Sequence, residues 1–423
     1  MNKKPELLAP AGNFEKLKVA FHYGADAVYA GLDKLSLRAN ADNFSREDLK
    51  AAVVYTHSIG KRIYIALNIY FTPDQSEQII DAVKFIHEIQ PDGLILSDLG
   101  TLGLAQQFAP NTPIHISTQA NSMNQYAVSL YKSLGSKRIV LARELSIEHI
   151  KEIRNSVPDI QLEAFVHGAM CIAYSGRCLL SSYMTTNALG GRDGINDDVR
   201  SANKGDCSHS CRWEFVLKEK SRANENFEIT EDDAGTYILS SKDICMIEHL
   251  EDLINAGVDS FKIEGRMKSI LYISSIVRAY RFVLDRLFAN QQPCVTDEIL
   301  KELNVVSHRE FSTGFFYTNP QSTANVTASI KYERNVRLAA MVIKAGKASE
   351  IKLYNKLSNS DTIDLIGNNM KTVKVLRIVM RNSFNEIVTS VNHTELITIE
   401  LYDATDNLII PEKYDILRIE SGF

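Results

Sequence analysis

No run of 18 apolar residues occurs anywhere in the 423-residue sequence, so a membrane-spanning helix is not expected. The first ten residues carry Lys3, Lys4 and Pro5 but no long apolar stretch, which does not read as a secretory signal and points to a cytoplasmic protein. Basic charge is not in excess. The 47 Lys and Arg stand against 52 Asp and Glu, so no global field draws the chain to nucleic acid or anionic lipid, and any such contact needs a local patch. Familiar hydrolase signatures are missing: there is no H-E-x-x-H, no G-x-S-x-G, and no G-x-G-x-x-G turn after a strand. What is present is ordinary globular composition, 45% hydrophobic and 23% charged, which excludes a wholly disordered chain. Six cysteines remain, and in a reducing compartment they need an explanation other than disulfides.

One pattern fills the first 290 residues. Short runs rich in Val, Ile and Tyr at 5–12, 25–32, 62–69, 93–98, 113–119, 138–143, 161–167 and 259–264 read as strands. Between and after them, segments at 13–24, 45–60, 75–89, 99–108, 125–134, 147–155, 244–256 and 269–289 have helical period, with Ser45 placed as an N-cap. Eight such repeats predict parallel strands with helical crossovers, a (β/α)8 TIM-like barrel in the α/β class. An open doubly wound sheet is the alternative, but the glycine-rich turn it favours is absent. Beyond Ser329 the texture changes to short strands at 336–345, 351–354, 362–366, 373–380 and 396–402. The expected organisation is a catalytic barrel over 1–330 with a cysteine-rich loop at 168–240, and a small all-β barrel or sandwich over 331–423.

In a barrel of this kind, chemistry gathers at the C-terminal ends of the strands. Those ends carry Asn13, Asn68, Asp98, Gln119, Asn121, Arg143, Glu144, His167, Glu264 and Arg266, with Lys262 in the last strand. Any one of them also fits a chain simply leaving the core. Together they suggest a polar cup that binds a ligand through Asn68, Gln119, Asn121, Arg143, Glu144 and Lys262. His167 is the acid–base candidate. Glu264 and Arg266 form either a structural ion pair or a catalytic pair that receives an anionic small molecule.

Cys171, Cys178, Cys207 and Cys211 fall within 41 residues, spaced C-x6-C and C-x3-C with 28 residues between the pairs. Four thiols gathered in one region of a reduced chain point to metal binding. Tetrahedral zinc suits the second pair but not the six-residue spacer, and an iron–sulfur cluster tolerates either. Cys245 reads as a core thiol or a substitute ligand, and Cys294 as incidental. A Cys171–His167 nucleophile–base dyad is a further possibility.

The run Glu163-Ala-Phe-Val-His167-Gly-Ala-Met-Cys171-Ile-Ala-Tyr-Ser-Gly-Arg-Cys178 resembles the signature of the collagenase-like peptidase family. The resemblance extends from Glu6-Leu-Leu-Ala-Pro-Ala-Gly12 through Ser117-Thr-Gln-Ala-Asn121, Cys207-Ser-His-Ser-Cys211-Arg-Trp213 and Lys262-Ile-Glu-Gly-Arg266. It covers residues 5 to about 318 and is strongest toward the branch of tRNA hydroxylation proteins. That resemblance implies O2-independent hydroxylation of wobble uridine in tRNA to 5-hydroxyuridine, with prephenate as a linked metabolite. It also implies a 4Fe-4S cluster on Cys171, Cys178, Cys207 and Cys211, shifting the choice from zinc to iron. One departure stands out: Arg192-Asp193 is separated from Cys207 by an added stretch at 194–202, which puts the shape of that loop in doubt. Lys204, Arg212, Lys218, Lys220 and Arg222 are candidates for a local RNA-binding patch. The competing functions are the family's historical one, a protease, and a zinc-stabilised RNA-binding scaffold.

Overall fold

The computed structural model describes residues 3–32, 44–171, 173–185, 200–204, 206–212, 230–232, 235–237, 241–292, 294–318, 336–392 and 397–420. Eight strands are β1 (Glu6–Pro10), β2 (Ala27–Gly31), β3 (Arg62–Ala66), β4 (Gly93–Leu96), β5 (Ile114–Ile116), β6 (Arg138–Val140), β7 (Gln161–Ala169) and β8 (Ser260–Ile263). Each pairs in parallel with the next, and β8 pairs with both β1 and β7. The sheet therefore closes on itself as a parallel barrel, as the alternation predicts. Strand residues are buried on both faces because one face lines the barrel and the other lies under helices. Leu8, Ala27, Tyr29, Tyr64, Ala66 and Ile95 form an apolar cluster from neighbouring strands.

The helices α1 (Phe14–His22), α2 (Arg46–Ser58), α3 (Ser76–Ile89), α4 (Leu99–Phe108), α5 (Gln125–Ser133), α6 (Ile147–Ser156), α7 (Leu250–Asn255) and α8 (Ile270–Phe288) follow the strands. Their starts have local causes. Ser45, Asp98, Asn124, Ser146 and Ser269 each accept a backbone N–H of the first turn, satisfying donors that a helix start otherwise leaves open.

Two boundaries differ from expectation. Residues 244–256 do not begin as a helix. Asp243–Cys245 is a strand, antiparallel to the end of β7, with Cys245 opposite His167. Arg309 holds it there, donating to the Asp243 carboxylate through Nε at 2.9 Å, and that partner lies too far along the chain for local periodicity to register. The run 373–380 is two strands, Thr372–Val375 and Arg377–Arg381, that break at Leu376.

Packing divides the described chain into two units: residues 1–17, 26–267 and 308–331 in the first, and 18–25, 268–307 and 332–423 in the second. The second contains a nine-stranded antiparallel sheet. Its core is aliphatic, with Ala340, Val342, Ile351, Leu365, Ile399 and Leu417 fully or nearly fully buried. Within this unit Glu302, on the helix α9 (Asp297–Asn304), bridges Arg278 at 2.6 Å and Arg418 at 2.9 Å. No helix among the described residues is long and apolar enough to cross a membrane.

Candidate active site

A ladder of buried charge fills the barrel interior. Tyr64 donates to Glu6 at 2.7 Å, and Arg62 pairs with the same carboxylate oxygen. Arg138 donates to Glu6 at 2.7 Å and to Glu163 at 2.9 Å, and Lys262 donates to Glu163 at 2.7 Å. Glu163 is fully buried. Burial alone would raise its pKa, but Lys262 and Arg138 overcome that and bring the carboxyl down to about 2. Each charge in the ladder is paired, as burial demands.

Beside the ladder lies His115, 4% exposed, with its ring 4.7 Å from that of Tyr64. Burial, and then the positive charge of Arg138, lower its pKa to about 3, so it is neutral. The unfolded imidazole takes a proton near pH 6.5 and the folded one only near pH 3. Stability is thus complete above about pH 6.5 and is lost as pH falls through that window, by an amount on the order of 5 kcal/mol. Glu163 adds a second loss as pH falls from about 4.5 toward 2. His115→Leu is expected to flatten the denaturation midpoint between pH 6.5 and 4.5 and to leave the steeper loss below pH 4.5.

Above the ladder, at the C-terminal ends of the strands, a cavity of about 140 Å³ opens. Its walls carry Asn68 after β3, Gln119 after β5, Arg143 after β6, and Lys262, Glu264 and Arg266 from β8 and its exit. The Arg143 guanidinium lies 3.9 Å above the Phe165 ring, and its buried Nε has no hydrogen-bond partner. Lys262 sits 4.5 Å from the Tyr29 ring, and Tyr29 donates to Glu264 at 3.3 Å.

The thiol loop forms the remaining wall. Cys171, Cys178 and Cys207 line the cavity. Glu144 does not. It accepts from the Ser175 backbone N–H at 2.8 Å and from the Ser175 hydroxyl at 3.2 Å, pinning the loop from below. Gly176, at φ +73°, presses against Gln119, where an added Cβ would stand 2.0 Å from the Gln119 carbonyl oxygen. Asn203 donates to the Cys178 carbonyl at 3.0 Å, and Ser208 N–H to Ser181 Oγ at 2.9 Å, tying the segment of the third cysteine to that of the second.

The sulfur atoms sit among donors. Cys171 and Cys178 share a hydrogen bond that pushes Cys171 up and brings Cys178 down to about 6, with the backbone N–H groups of Ser181 and Leu180 also favouring the Cys178 thiolate. His209 N–H donates to Cys207 Sγ at 3.4 Å. Among the described residues no group of three or more His, Cys, Asp or Glu side chains stands close enough to enclose an ion. The donor set itself, thiols from two segments that face one cavity and accept N–H···S bonds, is the chemistry an iron–sulfur cluster requires.

The other sequence candidates fall elsewhere. His167 is 1% exposed, its ring 5.3 Å from that of Phe311, and it is not part of the cavity wall. The suggested Cys171–His167 dyad therefore has its two members in different surroundings. Asn121, with φ 53°, ends the short turn Thr118–Ala120. Asp98 and Asn13 serve helix starts, accepting from Thr101 N–H and Lys16 N–H at 2.9 Å. Cys211 lies in the turn Ser210–Arg212, and Cys245 ends the strand opposite His167. Lys218, Lys220, Arg222 and residues 192–199 lie outside the described residues, as do the side chains of Lys204 and Arg212. Sequence reasoning assigned no role to Glu6, Arg138, Glu163, Tyr174 or Asn203. The charged residues inside otherwise apolar strands were the available signal for the first three.

Comparison with known proteins matches residues 12–325 to the model of peptidase family U32. A Bacillus subtilis protein named tRNA hydroxylation protein P1 is 42% identical over 321 residues, 76% of this chain and 72% of that protein. An Escherichia coli protein named tRNA hydroxylation protein P is 35% identical over 415 residues, 86% of each. A second Escherichia coli protein, named a 23S rRNA 5-hydroxycytidine synthase, is 36% identical over 282 residues, 67% of this chain and 39% of that protein.

Proposed function

This chain belongs to peptidase family U32, and from that premise we propose that it is an RNA-modifying hydroxylase acting on tRNA. One observation carries the reading: a polar cavity at the catalytic end of the barrel has three of the four clustered thiols in its wall, together with Arg143 and Gln119. The names of the relatives support hydroxylation of a pyrimidine in RNA. The finer form is O2-independent conversion of wobble uridine to 5-hydroxyuridine, linked to prephenate.

Cys171, Cys178, Cys207 and Cys211 would hold a 4Fe-4S cluster, which when bound supplies one-electron redox chemistry. The rest is the work of the chain's own groups. Arg143, braced on Phe165 and with Nε unpaired, offers a planar fork to a carboxylate. Lys262 is held in place by Glu163 beneath it and keeps positive charge at the cavity floor. Gln119 and Asn68 present amides to the edge of a base.

Protein purified without oxygen is expected to contain about four iron and four acid-labile sulfide per chain. One zinc and no sulfide would contradict the cluster and leave a structural metal site.

A further inference from the structure

The loop between the first two cysteines shows its most exposed side chains beside the cavity. Tyr174 is 53% exposed and at the same time part of the cavity wall. A protein does not ordinarily leave a large aromatic ring uncovered in the wall of a polar cavity without a guest to cover it.

The ring is held on a rigid support. Arg177 N–H donates to the Tyr174 carbonyl at 3.0 Å, closing a turn. Inside that turn Ser175 is bound by Glu144 and Gly176 rests on Gln119. Tyr174 and Arg177 are therefore the two ends of one turn, which brings their backbones close together. Arg177 is exposed, and its charge reaches the hydroxyls of Tyr70 and Tyr131. Tyr70 in turn donates to the Gln119 carbonyl at 2.6 Å. Among the described residues neither the Tyr174 nor the Arg177 side chain makes a hydrogen bond or ion pair, and the same holds for the Gln119 amide. An aromatic face, a guanidinium beside it and an open amide just inside match the three parts of a nucleotide: ring, phosphate and base edge.

We propose that Tyr174 is the platform on which the target pyrimidine of a single-stranded RNA loop stacks as it enters the cavity, with Arg177 on the adjoining phosphate and Gln119 on the base edge. The proposal rests on the RNA-hydroxylase reading and names how that site takes its substrate. Reaching a ring atom requires the base to leave its stack, and an aromatic at the cavity mouth replaces the stacking so lost.

The test is equilibrium binding by fluorescence anisotropy, without oxygen and at fixed salt. The probes are an anticodon stem-loop RNA containing the target uridine and the same RNA with that residue abasic. Tyr174→Ala should bind the intact loop about tenfold or more weakly. It should bind the abasic loop as the wild type does, because the stacked partner is then missing from both. Tyr174→Trp should bind within about twofold of wild type, which shows that the ring rather than the fold is at stake. Arg177→Ala should weaken both RNAs alike and lower the salt dependence by about one charge. The proposal is overturned if Tyr174→Ala binds the intact loop like wild type, if its deficit persists on the abasic loop, or if Tyr174→Trp fails to restore binding. If the wild-type protein binds the stem-loop no better than heparin, the RNA-hydroxylase reading falls first, and this outcome is distinct from the others. Preferential binding of a peptide under the same conditions would also overturn it.

Discussion

Arg138→Met is expected to destabilise the protein by about 3–5 kcal/mol, read as a drop in the urea midpoint at pH 7. Arg138 is 3% exposed and is the only residue of the ladder that bonds both Glu6 and Glu163. Without it Glu6 keeps Arg62 and Tyr64, and Glu163 keeps Lys262. Each carboxylate then has one cation where its surroundings were built for more, and Glu163 has it in a site fully closed to water. The loss comes from leaving charge uncompensated, not from the contact as such. A second variant separates the two: Arg138→Met combined with Glu163→Gln should be less destabilised than the sum of the single changes. Full additivity would show that the ladder is a set of independent pairs.

The second large effect is on activity. Cys207→Ala is expected to lower RNA hydroxylation by roughly 100-fold or more, beyond what loss of a mere supporting contact around a metal costs. The barrel should remain folded, because Cys207 is only half-buried and lies in the loop wall. Iron content should fall with activity while the unfolding free energy from urea titration stays within about 1 kcal/mol of wild type. Cys294→Ala is the matched control. Cys294 donates to the Gln291 carbonyl in a turn of the second unit and lines no part of the cavity, so hydroxylation should be unchanged.

The barrel was legible because each strand–helix repeat is written locally. Leu99–Phe108 stands where its period placed it, and Ser45 caps α2 as its position suggests. The location of the site was legible for the same reason, since strand ends are strand ends whatever lies between them. Which strand-end residues enter the cavity was not. Asp98 and Arg143 look alike in sequence as polar residues that leave a strand, yet Asp98 turns back to cap α4 while Arg143 lies on Phe165. The decision is made by the φ and ψ values of the next few residues and by the neighbouring strand's side chains, and neither is periodic.

The ladder was illegible for a different reason. Glu6 and Arg138 are 132 residues apart, and Glu6 and Ser260 are 254 apart. They meet only because β8 closes the barrel against β1 in one register, Glu6 opposite Ser260. A single residue of slip would send these side chains to the opposite face. Likewise, no role for Gly176 was legible in the sequence. Its requirement, a backbone so near Gln119 that an added Cβ would stand 2.0 Å from the carbonyl oxygen, belongs to the docking of the thiol loop and not to the turn alone. His167, conspicuous in the chain beside Cys171, is placed against Phe311 because β7 continues through Ala169 and pairs there with Asp243–Cys245.

We propose the cavity walled by the thiol loop as the place where RNA is hydroxylated. The most direct test is nucleoside mass spectrometry of tRNA from three strains: one lacking this chain, the same strain given the wild-type chain, and the same strain given Cys207→Ala. 5-Hydroxyuridine and its derivatives should disappear in the first, return in the second and stay absent in the third. Equal hydroxyuridine in all three would contradict it. So would full restoration by Cys207→Ala, which would leave the thiols a role unconnected with the chemistry.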